Sequence, residues 1–552
     1  MTHPERILIV NLTRFGDLLQ TSPTIVGLKA QHPAAHVTVL VERNFADVCR
    51  GIPAIDRVWE IDLDRLGRLL LGAEGGLRQA YHEIEELVAA LRAERFDLAL
   101  NYSSSRMSAV LLGLIGVEPT RGWTMTADGY RLIAGRWSRL FSAACLNRRQ
   151  APFNLVDYYK RAAGVTGGPQ RLLYDVAPAA RAAARERLAG SGVAAETPLV
   201  AFQLGASRAV RRWPTASWVA LGRELHARLG ARLLLCGGGG DREVGAEVAA
   251  ALGPLAIDCT GRTSIAELGA LLERAHVLVT PDTGPMHMAV AVGTPVVALF
   301  FGPALPFDTG PYAADHVCLH VEVECAPCDH NVTCLEPFCR QVLAPAAVAE
   351  AVVARRANDW AALAAAADRW PALAWYRTGF DAEGLADVTL LGTRSPRRGE
   401  TLRRAYRAFW KAVMDGAPER AASPALPEAG AALRGMLGLT AEAVRQARAV
   451  ERLAAAGGDL KALEAAARTL EQLDARLFRF GAMHEPAGLL LQLFRFDKES
   501  IEGEDVAALA RVTRELHERL AADAHRLAAL LDPPTVRTGA VAREGEDHAS
   551  LS

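Results

Sequence analysis

Cysteine, net charge and long apolar runs are all scarce in this chain of 552 residues. Nine cysteines are too few for a disulfide scaffold, and Cys49, Cys145, Cys236 and Cys259 stand alone in apolar or strand-like segments, so we expect a reducing compartment. Lys and Arg number 62 against 63 Asp and Glu, which excludes the overall positive field of a dedicated nucleic-acid-binding protein. The apolar runs are too short to cross a bilayer, and Asn11 interrupts the first one, so we expect no signal peptide.

Strand-like and helix-like patterns alternate along most of the chain. Runs such as RILIVNL, HVTVLVE and FDLALNY are separated by amphipathic segments, which predicts parallel sheets covered by helices. The pattern weakens over residues 121–171 and resumes near residue 195, so we expect two such units. Beyond about Arg355, apolar residues recur at three- and four-residue spacing, as in helices with one buried stripe. The expected division is 1–172 and 173–355 for the two α/β units, 356–532 for a mainly helical extension, and 533–552 for a disordered tail.

The loop after the first strand, TRFGD, carries a candidate catalytic acid. It lies at the carboxyl end of that strand, where open α/β sheets place their ligands. Gly16 lets the backbone bend or approach a substrate closely. Asp17 stands at a helix start, whose dipole favours the ionised carboxylate, so Asp17 is a candidate proton acceptor. Simple helix capping by Asp17 is the alternative interpretation.

The segment HVLVTPDTGPMHMAVAVG predicts a strand, a turn and a short helix. Pro285 suits the first helical position, where no backbone donor is needed. The Thr283 hydroxyl and the amides of Met286, His287 and Met288 would then point towards the sheet edge and hold a diphosphate. An ordinary capped turn between strand and helix explains the pattern equally well.

A basic loop in the second unit complements that turn. The strand ending at Leu204 opens into a loop with Ser207, Arg208, Arg211 and Arg212. Guanidinium groups in such a loop can stabilise a leaving diphosphate without a metal ion. A solvated basic loop is the alternative.

The segment CGGGGDREVG resembles a dinucleotide-binding turn, but Arg242 stands at the third glycine of the G-x-G-x-x-G pattern, which argues against an oxidoreductase. Its glycines still let a nucleoside approach the backbone. Asp241 or Glu243 can accept ribose hydroxyls there, or either acid can simply lie on the surface.

Four cysteines are clustered in CAPCDHNVTCLEPFC: Cys325, Cys328, Cys334 and Cys339, with His330 between them. One C-x2-C pair suits a metal ion, but the second spacing and the short separation differ from common zinc ribbons. A structural metal or iron–sulfur site is one interpretation, and free or redox-active thiols are the other. We assign the cluster no catalytic role.

Five segments in a fixed order resemble glycosyltransferase family 9, the ADP-heptose:lipopolysaccharide heptosyltransferases. They are RILIVNLTRFGDLLQTSP, LGASRAVRRWP, LLLCGGGGDREV, DCTGRTSIAELGALLERAHVLVTPDTGPMHMAVAVGTPVVALFFGP and TGPY. The resemblance covers about Arg6 to Val353 and implies the GT-B architecture, in which two Rossmann-like domains face a cleft. It places the acceptor on the first domain and the nucleotide sugar on the second.

The resemblance also implies roles for individual residues. Asp17 falls on the general base that deprotonates the acceptor hydroxyl, and the turn after Asp282 falls on the diphosphate-binding positions. The expected catalytic residues are Asp17 and Arg211; the expected donor-binding residues are Ser207, Arg208, Asp241, Glu243, Asp282, Thr283, Gly284, Met286 and His287; Thr13 and Gly16 are expected on the acceptor side.

Two departures from the family pattern bear on the chemistry. Arg211 stands where family members usually carry Lys, which keeps the charge but changes its reach and geometry. Ala304, Leu305 and Pro306 follow FGP where the family often has Thr-Asp-Pro, which removes polar groups near the donor site.

The expected function is an inverting transfer of a heptose or related sugar from an ADP-linked donor to a lipopolysaccharide-core or similar glycan. The resemblance implies that no cofactor or metal is required, and no nucleic acid is expected as a partner. It also implies a cytoplasmic protein, with peripheral contact to the inner membrane through a lipid-linked acceptor. The alternatives are a non-catalytic scaffold that binds nucleotide sugar or glycan, and another GT-B enzyme such as a sugar-nucleotide epimerase. Asp17 and the PDTGP block favour an active transferase.

Overall fold

The structure is a computed structural model that describes residues 4–72, 75–126, 128–328, 334–418, 425–457 and 459–532. The predicted tail, residues 533–552, lies outside the described residues. Across the described ranges, none of the helices combines the length and the apolar composition needed to cross a bilayer.

Six strands form the first sheet, in the spatial order β3-β2-β1-β4-β5-β6. They are β1 (Arg6–Asn11), β2 (His36–Glu42), β3 (Arg57–Ile61), β4 (Leu98–Asn101), β5 (Thr120–Met125) and β6 (Arg131–Ala134). All neighbours are parallel except β5 and β6. The residues from Ile7 to Val10 in the central strand are fully buried, because helices cover both faces of the sheet.

Eight helices accompany this sheet. They are α1 (Phe15–Leu19), α2 (Ser22–Gln31), α3 (Ala46–Cys49), α4 (Leu63–Gly72), α5 (Gly76–Ala93), α6 (Arg106–Ile115), α7 (Arg136–Leu146) and α8 (Leu155–Ala162). The alternation of strand and helix predicted for the first unit is therefore present.

The second sheet has eight strands in the order β14-β13-β12-β11-β10-β7-β8-β9. They are β7 (Leu199–Gln203), β8 (Arg232–Cys236), β9 (Ala256–Asp258), β10 (Val277–Pro281), β11 (Val296–Phe300), β12 (Val317–Val321), β13 (Leu373–Phe380) and β14 (Ala386–Leu390). Its helices are α9 (Pro178–Gly190), α10 (Thr215–Leu229), α11 (Arg242–Leu252), α12 (Ile265–Arg274), α13 (Gly284–Ala291), α14 (Pro306–Thr309), α15 (Cys339–Val342), α16 (Pro345–Arg356) and α17 (Trp360–Arg369).

The second sheet extends beyond the expected boundary at residue 355. Strand β13 pairs antiparallel with β12, and β14 pairs antiparallel with β13. The segment LAWYRTGF of β13 has the β-branched and aromatic residues of a strand, and Trp375 and Tyr376 pack into the sheet. Alanine-rich helices precede it, which is why the composition of the region resembles a purely helical one.

The mainly helical extension expected after the second sheet is present. Its helices are α18 (Arg398–Asp415), α19 (Pro427–Ala456), α20 (Leu460–Met483), α21 (Glu485–Glu499) and α22 (Val506–Leu531). Their buried stripes share one hydrophobic core with Leu140 of α7 and Phe153 of the first domain. The extension is thus packed on the first domain.

Asp157 of α8 joins the first domain to the second, close to the point where the extension packs. Its buried carboxylate accepts hydrogen bonds from the Tyr312 hydroxyl of the second domain at 2.9 Å and from the Ala386 amide of β14 at 2.8 Å. Arg407 of α18 donates to the Pro152 carbonyl at 2.9 Å, next to this junction. These contacts fix the two domains and the extension against one another.

Candidate functional site

A cavity of about 970 Å³ lies between the carboxyl edges of the two sheets. The loops that follow β1, β7, β8 and β10 line it, together with residues of α7 and α8. Parallel α/β sheets bind their ligands at this edge, because the strand ends expose backbone groups and helix N-termini there. The two predicted loop sets therefore face one cavity.

Asp17 is the third residue of α1 and lies in the cavity wall. The Arg14 amide donates to its carboxylate over 3.4 Å, so Asp17 also makes the helix-capping contact of the alternative interpretation. Burial raises the pKa of Asp17, and the nearby His287 and the Arg14 amide oppose that rise. A raised pKa makes the ionised carboxylate a stronger proton acceptor.

The turn between β10 and α13 presents Asp282, Thr283, Gly284 and His287 to the cavity. Burial lowers the pKa of His287, although Asp282 and Asp17 both favour its protonated form. Within the described ranges, the buried Nδ1 atom of His287 has no hydrogen-bond partner. A neutral imidazole thus lies near one carboxylate from each domain.

Arg211 connects the basic loop to that turn. It donates to the Ser207 hydroxyl at 2.7 Å, to the Asp282 carbonyl at 3.1 Å and to the Asp282 carboxylate at 3.3 Å. Arg208, Arg211 and Ser207 all line the cavity. The structure therefore brings the two predicted phosphate-side segments into direct contact.

The two domains approach each other closely at α1 and α13. A Cβ atom at Gly16 would lie 2.9 Å from Cα of Gly284, and a Cβ atom at Gly284 would lie 2.3 Å from the Phe15 ring. Only glycine permits such contacts. Arg14 of the first domain also donates to the Ser207 hydroxyl of the second at 3.0 Å. The narrow gap brings the Asp17 loop against the PDTGP turn.

Asp241 lines the cavity, but its carboxylate accepts a hydrogen bond within the glycine turn. It accepts from the Gly238 amide at 2.8 Å and lies 3.8 Å from Arg212. A hydrogen bond to ribose would have to share this carboxylate with the turn.

Three predicted site residues do not line the cavity. Met286 is fully buried in the core on the inner face of α13, and its amide donates to the Thr283 carbonyl at 3.0 Å rather than facing the cavity. Glu243 is exposed on α11 and does not line the cavity, because the helix has already turned away from the sheet edge. The Thr13 hydroxyl donates to the Asn11 side chain, and Thr13 does not line the cavity, although its side chain also hydrogen-bonds with Asp17 and lowers the pKa of that carboxyl.

Arg148 and Asp308 are cavity residues that the sequence patterns did not single out. Arg148 follows α7 in the first domain, and Asp308 belongs to α14 in the second. The guanidinium donates to the Asp308 carboxylate at 2.6 Å and 3.1 Å and also to the Pro303 carbonyl. The pair joins the two domains in the wall of the cavity. Residues 121–148 are rich in arginine and Asp308 opens an Asp-Thr-Gly tripeptide like that at Asp282, but neither pattern indicates that the two residues pair.

The four cysteines of the predicted cluster belong to a segment in which residues 329–333, including His330, lie outside the described residues. Burial raises the pKa of Cys328, and the three neighbouring cysteines raise it further. Among the residues that the structure describes, no three metal-ligating side chains converge. The described geometry therefore gives these thiols no metal-binding arrangement.

Comparisons with known proteins relate this chain to one family. The sequence model of glycosyltransferase family 9 (heptosyltransferase) matches residues 84–338. Lipopolysaccharide heptosyltransferase 1 of Pseudomonas aeruginosa is 26% identical over 338 residues, which cover 60% of this chain and 88% of that protein. Lipopolysaccharide heptosyltransferase 2 of Salmonella typhimurium is 26% identical over 317 residues, which cover 55% of this chain and 85% of that protein.

A solved structure supports the architecture. The crystal structure of a glycosyltransferase family 9 protein from Veillonella parvula aligns with a TM-score of 0.52 at 22% identity, covering 64% of this chain and 98% of that chain. The shared fold confirms the prediction of two facing Rossmann-like domains in the GT-B arrangement.

Proposed function

We propose that this chain, whose residues 84–338 match the model of glycosyltransferase family 9, transfers a heptose or a related sugar from an ADP-linked donor to a lipopolysaccharide-core or similar glycan. The observation that carries the proposal is the cavity in which Asp17 of one domain faces the PDTGP turn of the other. Its curated relatives are named as lipopolysaccharide heptosyltransferases, which supports the heptose and the glycan acceptor.

The proposed reaction is a single displacement at the anomeric carbon. The acceptor oxygen forms a bond to that carbon while the bond to the diphosphate oxygen breaks, so the configuration inverts and ADP leaves. Asp17 takes the proton from the acceptor hydroxyl, which its raised pKa favours. Gly16, beside it, lets the acceptor approach the backbone.

Charge on the departing diphosphate needs stabilisation from the second domain. Arg208 and Arg211 line the cavity on that side, and the Thr283 hydroxyl and His287 lie in the adjacent turn. Guanidinium groups held in place before the reaction stabilise developing negative charge, so we propose a transfer that depends on arginine rather than on a metal ion.

The acceptor in this proposal is a glycan linked to a lipid at the cytoplasmic face of the inner membrane. The nucleotide would lie against the glycine turn near Asp241, and the sugar would lie between Asp17 and Asp282. The Arg148 and Asp308 pair would close the far end of the cavity during transfer.

The test is to incubate the purified chain with a panel of ADP- and UDP-sugars, with and without a lipid-linked core acceptor, while nucleotide release is measured. We expect acceptor-dependent release of ADP from an ADP-heptose. Tight binding of the donor without any release would support a binding scaffold instead, and interconversion of free sugar nucleotides would support an epimerase.

A further inference from the structure

Helices α4 and α5 form a hairpin whose tip presents large apolar side chains to solvent. Leu70 is 57% exposed, Leu71 90%, Leu77 72% and Tyr81 62%. The inner face of the hairpin packs on the first domain. Leu66 and Ala80 are buried in the core of that domain, and Leu69 and Ile84 pack against it. The exposed residues are therefore additional to the fold, and such a patch marks an interaction surface.

The hairpin has a fixed geometry. Arg65 of α4 donates to the Glu83 carboxylate of α5 at 2.8 Å and 3.1 Å. A Cβ atom at Gly76 would lie 2.1 Å from the Leu69 carbonyl oxygen, so the two helices touch closely at the tip. Residue 65 thus lies beside residue 83, and residue 69 lies beside residue 76, so the two helices run antiparallel.

The tip lies on the cavity side of the first domain. Helix α4 starts just after β3 ends, at the carboxyl edge of the sheet. Arg65 and Glu83 contact each other near that edge. The residues of α4 after Arg65 and the first two turns of α5 therefore extend past the edge of the sheet. Asn44 donates to Asp64 at the base of the hairpin at 3.0 Å, and the next residue, Phe45, lines the cavity. The base of the hairpin thus adjoins one wall of the reaction cavity, and the apolar tip extends past the same edge of the sheet.

The charges of the tip complement an anionic partner. Arg68 and Arg78 are exposed at its two sides, and neither pairs with an acidic side chain within the described ranges. Arg65, by contrast, is neutralised by Glu83. Apolar side chains flanked by unpaired arginines fit a lipid leaflet, since the acyl region takes the leucines and anionic headgroups take the guanidinium groups.

We propose that this tip, residues 67–72 and 75–81, docks the enzyme on an anionic lipid surface with the cavity facing the leaflet. The proposal rests on the proposed function, because a lipid-linked glycan must reach Asp17 from a membrane. A leaflet at the tip would place the headgroup region beside the cavity mouth, where the glycan part of such an acceptor can enter.

The test is sedimentation of the full chain with vesicles of phosphatidylcholine alone and of equimolar phosphatidylcholine and phosphatidylglycerol, without donor or acceptor. We expect the wild type to bind the anionic vesicles. The L70S/L71S double variant should lower the partition coefficient about tenfold or more. The R68Q/R78Q double variant should lower it about 20-fold on anionic vesicles, and added salt should have a similar effect.

Matched controls are available on α19 and α20. L460S/M483S removes two exposed apolar side chains, and R445Q/R452Q removes two exposed arginines, both far along the chain from the tip. We expect these variants to bind like the wild type, and we expect unfolding temperatures of all variants to be unchanged.

Equal binding of both vesicle types by the wild type, or wild-type binding by L70S/L71S, would overturn the proposal. If L70S/L71S instead converts an oligomer into a smaller species in sedimentation velocity without vesicles, then a second copy of the chain covers the tip and the proposal is wrong. Nucleotide release with a soluble acceptor fragment should be the same in the tip variants and the wild type. Failure of that release in the wild type would count against the proposed function alone, because vesicle binding is measured without substrates.

Discussion

At the scale of single residues, the site shifts the pKa values of two titratable groups in opposite directions. Burial raises the pKa of Asp17 and lowers that of His287, and each group partly offsets the shift of the other. At neutral pH this favours a neutral imidazole beside a carboxylate that holds a proton more strongly than a solvated aspartate does. Such a pair suits proton transfer at Asp17 and hydrogen-bond donation at His287.

Replacement of Asp17 tests the proposed base. Asp17→Asn keeps the size and the acceptor oxygen for the Arg14 amide but cannot take a proton. We expect transfer to fall about 100-fold to 10,000-fold, while binding of ADP, measured by calorimetry, stays within experimental error of the wild type. Asp47→Asn, an exposed position on α3, is the control. Transfer at the wild-type rate by Asp17→Asn would remove Asp17 from the mechanism.

The same variant should not lose stability at neutral pH. A carboxyl whose pKa is raised in the fold binds a proton more tightly there than in the unfolded chain, so its ionisation costs folding free energy. This cost appears as the pH rises from the unfolded pKa, and Asn does not carry it. We expect the unfolding temperature of Asp17→Asn to equal or exceed that of the wild type at pH 7, and any such gain to vanish in acid.

Arg211 tests the stabilisation of the leaving group. Arg211→Gln removes the charge, and we expect kcat/KM for the donor to fall about 100-fold or more. Arg211→Lys keeps the charge but loses the forked contacts to Ser207 and Asp282, so its loss should be smaller. Arg228→Gln on the exposed end of α10 is the control. Equal losses in the Gln and Lys variants would show that contacts to Ser207 and Asp282, rather than charge, are what Arg211 supplies.

At the scale of elements, local sequence patterns predicted the loops that line the cavity better than the contacts between the two domains. The turn from β10 to α13 follows directly from Pro285 at the first helical turn and the buried strand before it. The amide of Met286 was predicted to point towards the cavity, as amides at a helix start usually do, but it donates to the Thr283 carbonyl at 3.0 Å instead. Arg148 and Asp308 could not be found from spacing, since their pairing depends on how two domains meet.

The second sheet also shows how far local sequence patterns can predict the fold. Strand β13 completes its pairing through β12, which lies more than fifty residues earlier in the chain. Its own pattern is one eight-residue run among alanine-rich helices. The aromatic residues of Leu373–Phe380 favour a strand, and the long-range pairing with β12 places that strand in the sheet.

Helix α20 allows a matched test of the core that the extension shares with α7. Leu477 is fully buried in that core, whereas Leu460 at the start of the same helix is exposed. We expect Leu477→Ala to lower the free energy of unfolding of the extension by about 2 to 5 kcal/mol, because it removes buried contacts and leaves a cavity. Leu460→Ala should change it by less than about 0.5 kcal/mol. Urea unfolding followed by circular dichroism measures both, and similar effects of the two variants would contradict the described packing.

At the scale of the whole molecule, the extension holds the cavity wall in place. Arg139 of α7 donates to Asp497 of α21 at 2.6 Å, and the Gln150 side chain donates to the Glu485 carbonyl at 2.5 Å. The segment between these two contacts carries Arg148, which reaches Asp308 across the cavity. The extension therefore supports the segment that carries Arg148 in the cavity wall, although the extension lies outside the matched family region.

The stability of the second domain should depend on pH through two buried histidines, His320 of β12 and His316 just before that strand. Burial lowers the pKa of His316 to about 3 and that of His320 to about 4. Below pH 6.5 the unfolded chain takes up protons that the folded chain excludes, so each group costs about 1.4 kcal/mol of stability per pH unit until its folded pKa is reached.

A difference measurement isolates His316 from other groups. In His316→Asn, the side-chain oxygen can still accept from the Val296 amide, as Nδ1 of His316 does at 3.1 Å. We expect the unfolding free energy of the wild type, relative to this variant, to be constant above about pH 7.5 and to fall by about 1.4 kcal/mol per pH unit between about pH 6 and pH 4. A flat difference for His316→Asn would mean that this imidazole is protonated within the folded sheet.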